Sequence, residues 1–206
     1  MFIDRRDAGR RLASRLAALR EDRPVVLGLP RGGVIVAEEV ARALDAPLDV
    51  IVARKVGAPF NPELAIGAVA AGVVHLDETI TAALQIPQDY ITQAVEQELD
   101  EVKRRENLFR DGRPPVDVTD RTVVLVDDGL ATGSTAVAAI RSLRQLGPKR
   151  IVLAVPVGAA ETVEMLRPMV DELVCLSSPP YFRAVGQEYL DFSQTTDLEV
   201  REALRQ

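Results

Sequence analysis

Residues 123–135 read Val-Val-Leu-Val-Asp-Asp-Gly-Leu-Ala-Thr-Gly-Ser-Thr. Four apolar residues suit a strand buried on both faces, and two adjacent carboxylates, Asp127 and Asp128, stand where such a strand must end. Carboxylates at a strand end face the ligand crevice of an open sheet, where they can accept hydrogen bonds from a vicinal diol or help hold a hydrated Mg²⁺, directly or through water. The small residues that follow, 131–135, lead into a helical pattern. Such a loop can wrap its N–H groups around a phosphate, and the helix N-terminus adds roughly half a positive charge. Thr132, Ser134 and Thr135 add hydroxyl donors, while Gly133 lets the backbone come close. Diol acceptors and a monophosphate cradle at this spacing match a 5-phosphorylated ribose. Either feature alone reads as capping or as solvated loop; together, in this order, they point to a site.

Other phosphate and nucleophile patterns are missing. There is no Gly-x4-Gly-Lys-Ser/Thr, no Gly-x-Gly-x-x-Gly around residues 28–33 and no Gly-x-Ser-x-Gly. The single histidine, His75, ends an apolar run and cannot build a zinc site alone. The lone Cys175 lies in an apolar run, reads as core, and cannot form an internal disulfide, which suits a reducing, cytoplasmic setting. The net charge of −6 argues against a nucleic-acid surface. The arginine-rich first helix does not read as a signal peptide, and no apolar run approaches the ~20 residues needed to span a bilayer.

The positioning elements follow from periodicity. The spacing predicts a helix over 4–20 with Ala8, Leu12, Leu16 and Leu19 on one face and Asp4 as its cap. A buried strand over 25–29 follows, then the turn Pro30-Arg31-Gly32-Gly33, a helix over 34–44 and a strand over 48–53. Residues 64–76 read as a strand pair turning at Ala71-Gly72, and 88–109 as one long helix with Ile91, Val95, Leu99 and Val102 on its inner face and Asp100–Arg104 and Glu101–Arg105 pairs outside. Strands at 122–126, 151–155 and 173–176 then alternate with helices at 134–146 and 160–166, and Asp197 can cap a last helix. This alternation implies an α/β fold, a doubly wound and mainly parallel sheet, within one domain over 1–206. A helical insertion over 78–115 would be a hood, and residues 177–206 a tail over or beside the site. At 206 residues and 47% hydrophobic, the chain can bury one sizeable core, built mainly from aliphatic residues because aromatics are 4%.

Residues 123–135 resemble the signature of type I phosphoribosyltransferases, which bind 5-phosphoribosyl-1-pyrophosphate (PRPP). The resemblance implies that Asp127 and Asp128 face the ribose hydroxyls and that Ala131, Thr132, Gly133, Ser134 and Thr135 hold the 5-phosphate. Leu29-Pro30-Arg31-Gly32-Gly33 is similar to the family's pyrophosphate loop, in which a non-proline cis peptide is often found; Arg31, Gly32 and Gly33 would contact diphosphate. Arg54-Lys55 resembles the basic pair that opens the mobile catalytic loop, which would place that loop at 57–63 as a lid. The resemblance implies transfer of phosphoribose from PRPP to a nitrogen acceptor such as a nucleobase, with Mg²⁺ as cofactor, and a homo-oligomer, most simply a dimer. Tyr181 and Phe182, after the last core strand, are candidates to stack on a planar acceptor, though both could instead pack the tail onto the core. A PRPP- or nucleotide-sensing regulator without turnover is the alternative on the same fold.

Overall fold

The computed structural model describes residues 1–205, with the backbone alone at Glu63. The elements run α1 (Arg5–Leu16), β1 (Val25–Gly28), α2 (Gly32–Leu44), β2 (Leu48–Val50), β3 (Ala53–Ala58), β4 (Asn61–Ala70), β5 (Val73–Leu76), α3 (Glu78–Ala83) and α4 (Gln88–Arg110). They continue through β6 (Thr122–Val126), α5 (Ser134–Gln145), β7 (Arg150–Val157), α6 (Ala160–Leu166), β8 (Glu172–Ser177) and α7 (Asp197–Ala203). Gln206 lies outside the described residues.

Five strands form a parallel sheet in the order β2-β1-β6-β7-β8. Register rows explain its two-sided burial. Leu27, Leu125 and Leu153 align across the sheet and pack against Ile140 and Leu143 of α5 and Leu166 of α6. One residue earlier, Val26, Val124 and Val152 align on the opposite face against Leu12 and Leu16 of α1 and Val36 and Val40 of α2. Side-chain alternation thus gives helices on both faces, as the βα pattern predicts. The chain leaves β1 toward one edge and β6 toward the other, so the crevice between their carboxyl ends is the switch point where ligands of such sheets bind. It is flanked by the loops beginning at Leu29 and Asp127.

The basic pair and the expected lid turn out differently. The second strand stops at Val50, and Ala53, expected at its end, opens an antiparallel sheet of β3, β4 and β5. Residues 57–63 are therefore not a free loop. Ala58 pairs with Asn61 across a two-residue turn at Pro59-Phe60, and the ladder shifts register between Val56 and Ala58. Gly57 sits against Pro62, whose carbonyl oxygen would lie 2.6 Å from a Cβ there. Reading Gly and Pro as loop punctuation missed a ribbon whose irregular stretch accommodates both. The strand pair turning at Ala71-Gly72 is present as β4 and β5.

Helix α4 covers this second sheet. Ile91, Val102 and Phe109 are buried in a cluster with Val56, Ile66 and Val69, with Val95 and Leu99 packed at its margin. Outside, Arg104 and Arg105 both bond Glu101, so Arg104 takes the residue three back rather than Asp100 four back. The last helix is capped by Thr196, one residue before the expected Asp197. Cys175 is half-buried rather than fully enclosed: β8 is an edge strand, and its thiol donates to the Ser177 carbonyl at 3.2 Å.

Candidate active site

The acid pair sits at the floor of the crevice, partly open by accessible surface yet ringed by protein. Asp127 accepts the backbone N–H of Asp128 on Oδ1 at 2.8 Å. Burial pushes the Asp127 carboxyl well above the ordinary aspartate range, and the neighbouring Asp128 adds to this by like-charge repulsion. Burial raises Asp128 as well, opposed by Arg5. Arg5 was not singled out in the sequence. Its Nε donates to Asp128 Oδ2 at 2.7 Å, and its Nη1 donates to the Ser193 carbonyl at 2.8 Å. Tyr189 donates its hydroxyl to the Asp128 backbone carbonyl at 2.6 Å.

Gly32 and Gly33 lie directly on this pair. A Cβ at Gly32 would fall 1.9 Å from Asp128 Oδ2, and one at Gly33 would fall 2.8 Å from the Asp127 Cα, so only glycine lets α2 start here. The Pro30–Arg31 peptide bond is cis. Arg31 itself turns toward Asp197 of α7, 3.7 Å away.

The phosphate-loop candidates open α5. Gly133, at φ +74°, is the N-cap residue and supplies no side-chain cap. Its Cα faces Thr162 and Leu166 of α6, where a Cβ would meet Thr162 Cγ2 at 2.7 Å. The Thr132 and Ser134 hydroxyls lie 3.2 Å apart, and the Thr162 hydroxyl donates to the Ala131 carbonyl at 2.6 Å. With glycine at the cap, the amides of the first turn are not used up by a local side chain, the opposite of a plain capping arrangement.

Arg54 and Lys55 share a cleft of about 520 Å³ with Thr132, Ser134 and Thr135, walled by Tyr90 and Glu98 of α4. The structure thus brings the basic pair to the 131–135 loop; the acid pair and Gly32-Gly33 do not line this cleft. Arg54 Nε donates to Glu98 at 2.6 Å, which raises its pKa further. Tyr90 donates its hydroxyl to the Gly57 carbonyl at 3.0 Å, tying α4 to the ribbon. Periodicity reads Glu98 as one more solvated helix charge, so only the tertiary contact reveals it. Tyr181 stands out in solvent at 89% exposure, whereas Phe182 packs beside Phe2, Val157 and Tyr189. Phe182 thus shares a cluster with Tyr189, the residue that bonds the Asp128 carbonyl, while Tyr181 faces solvent.

For Mg²⁺ the donors are hard carboxylate oxygens, the right type, but only two residues supply them, and one is paired with Arg5. Among the described residues no group of three His, Cys, Asp or Glu forms a cage. The arrangement fits an ion held by Asp127 or Asp128 together with oxygens of a substrate. No described helix is long and apolar enough to cross a membrane.

A parallel α/β sheet with an acid pair and an uncapped helix start at its switch point defines a type I phosphoribosyltransferase fold. The phosphoribosyl transferase domain family model matches residues 4–193, and the chain belongs to that family. It is 49% identical over 201 residues, 97% of its length, to a Mycobacterium tuberculosis protein named "Putative phosphoribosyl transferase Rv0571c"; it spans only 45% of that relative. A Deinococcus radiodurans protein named "Bifunctional protein PyrR" is 34% identical over 134 residues, covering 61% of this chain and 71% of the relative. Among solved structures, TT1426 from Thermus thermophilus superposes with a TM-score of 0.90 at 48% identity, covering 99% of this chain and 97% of that one.

Proposed function

We propose that the protein is a pentosyltransferase that moves phosphoribose from PRPP to a nitrogen acceptor, most simply a nucleobase, releasing diphosphate. The observation that carries this reading is the acid pair packed against Gly32-Gly33 at the start of α2 and followed along the chain by the uncapped start of α5. The loop 131–135 takes the 5-phosphate. Asp127 and Asp128 accept the ribose hydroxyls. The Arg31-Gly32-Gly33 turn at the start of α2 takes the diphosphate. The C1–oxygen bond breaks with its electron pair leaving on diphosphate, the acceptor nitrogen forms the new bond to C1, and the acceptor's N–H proton passes to solvent. The carboxylates favour the positive sugar that develops between these events. Mg²⁺, when bound with the substrate, would neutralise diphosphate charge and help it leave. Arg54 and Lys55 add positive charge along the cleft wall. The helices over 78–115 serve as the hood, within a single domain that would work as a dimer. Tyr181 and Phe182 remain the candidates to stack on a planar acceptor.

A sensor that binds PRPP without turnover is the alternative reading of the same site. Calorimetric titration with PRPP, with and without Mg²⁺, tests both readings at once. Saturable, Mg²⁺-dependent binding supports the ligand class, and diphosphate release in the presence of purines or pyrimidines then separates enzyme from sensor. Absence of binding at millimolar PRPP would remove both.

The phosphate loop carries its own test. Thr132→Ala and Thr135→Ala should each weaken PRPP binding roughly 10-fold, the worth of one charge-assisted hydrogen bond. Their melting temperatures should stay within a degree or two of wild type, because capping does not depend on these hydroxyls. A matched loss of melting temperature and affinity would show that they serve the helix instead.

A further inference from the structure

The acid pair is not open to a sugar as it stands, because an arginine from the first turn of α1 holds one of its carboxylates. Arg5 and Asp128 retain only 12% and 16% side-chain exposure. The pair is made through a single nitrogen, Nε; it is not the two-pronged arginine–carboxylate contact that maximises strength. The guanidinium lies over the Phe192 ring at 4.0 Å from its centroid, and its Nη1 donates to the Ser193 carbonyl at 2.8 Å, so Asp128 is one of its two polar partners. Phe192 in turn stacks on Tyr189, and Tyr189 on Phe2, at centroid distances of 5.0 and 5.4 Å.

The position of this cation matters more than its present partner. Arg5 Nε would lie 2.5 Å from a Cβ at Gly32, so the guanidinium sits on the backbone of the turn that starts α2. Arg31, the turn's own cation, faces Asp197 instead. Arg5 is therefore the arginine pressed against the Gly32 backbone. A diphosphate arriving beside two carboxylates meets repulsion unless a cation stands between them, and Arg5 stands there.

We propose that Arg5 is a diphosphate-binding residue parked on Asp128: the incoming diphosphate takes its guanidinium over the Gly32 backbone, and that exchange frees the Asp128 carboxylate for the sugar hydroxyls. The exchange moves a side chain across its aromatic platform and leaves α1 in place. It couples the two halves of the substrate, because the sugar's acceptor becomes available only when the diphosphate is present. This inference rests on the transferase reading above.

The test uses the full chain and two separate probes, inorganic diphosphate and ribose 5-phosphate, titrated calorimetrically into wild type, Arg5→Ala and Arg5→Lys. Arg5→Ala should lose roughly 30-fold in diphosphate affinity, the loss of a charge-assisted contact. Its affinity for ribose 5-phosphate should stay within about twofold or tighten, as Asp128 is released. Arg5→Lys, which keeps the charge, should recover part of the diphosphate affinity. Unchanged diphosphate binding in Arg5→Ala overturns the proposal, as does a parallel loss of both ligands in both variants, which would mark Arg5 as purely structural. Wild type that binds ribose 5-phosphate but not diphosphate overturns the role of Arg5 and leaves the phosphate loop standing. Wild type that binds neither probe, nor PRPP, removes the transferase reading and this proposal with it.

Discussion

Asp127→Asn combined with Asp128→Asn should abolish turnover, by roughly 10³-fold or more, while the protein stays folded. Asparagine keeps the shape and some hydrogen bonding but removes the charge that would favour a positive sugar. Losing one preorganised electrostatic contact in an active site typically costs about 10²–10³-fold, and here two go together. The fold should survive because these carboxylates are a liability to it. Burial raises the pKa of Asp127 well above the ordinary value, with Asp128 contributing repulsion. A carboxyl whose pKa is higher folded than unfolded contributes stability while protonated, in full below the ordinary aspartate pKa, and loses it as pH rises through the raised value. Asp127→Asn should therefore melt above wild type at neutral pH in magnesium-free buffer, with the difference narrowing toward about pH 4, where unfolded aspartate protonates. Undiminished diphosphate release by the double variant would overturn the roles given to the pair. A variant that melts lower at neutral pH would overturn the electrostatic account of the site.

Arg110→Ala should strongly destabilise the fold. Arg110 lies at the end of α4 and is 9% exposed. Its Nε donates to Asp49 at 2.9 Å, its Nη1 to Glu106 at 2.9 Å and its Nη2 to the Val50 carbonyl at 2.8 Å. Asp49 also accepts the N–H groups of Val50 and Val116. Removing the cation strands two enclosed carboxylates at the junction of the parallel sheet with α4, a loss of about 3–5 kcal/mol. For a chain of this size that is a fall in melting temperature of roughly 6–20 °C. Burial already raises Glu106, and Arg110 opposes that rise, so the variant should regain relative stability on acidification as Glu106 takes a proton. Arg104→Ala is the control on the same helix: Arg104 stands in solvent beside Glu101, and its loss should leave the melting temperature close to wild type. Equal melting temperatures for the two variants would mean that the enclosed cluster contributes no more than the surface one.

What the sequence disclosed about this fold was local or periodic. The strand at 122–126, its acid pair and the helix start at Ser134 are contiguous, so chemistry and geometry are written in one stretch. The apolar faces of α1 and α4 follow from 3.6-residue spacing, and Ala8, Leu12, Ile91 and Val102 are buried accordingly. The three-stranded ribbon was half visible: β4 and β5 turn at a glycine, but β3 carries two cations just after Ala53 and passes through Gly57 to the turn at Pro59, a composition that favours a loop when read residue by residue. Ladder pairing with β4 and cover from α4 override that local preference. Glu98 and Arg5 carried no signal at all. Each is one charge among several on a charged helix, and what distinguishes it is a partner far along the chain.

Those separations set an order in time. Arg5 meets Asp128 across 123 residues and the Ser193 carbonyl across 188. A ribosome adding about 5–20 residues per second leaves the first arginine without its carboxylate for roughly 6–25 s and without its carbonyl for roughly 10–40 s. The strands and helices between them have ample time to form, since local elements close in microseconds. When Asp128 is made the arginine is already there, whereas the Ser193 carbonyl that holds its Nη1 follows only after β7 and β8. The arginine on the acid pair thus gains its second anchor only after the last strand of the parallel sheet exists.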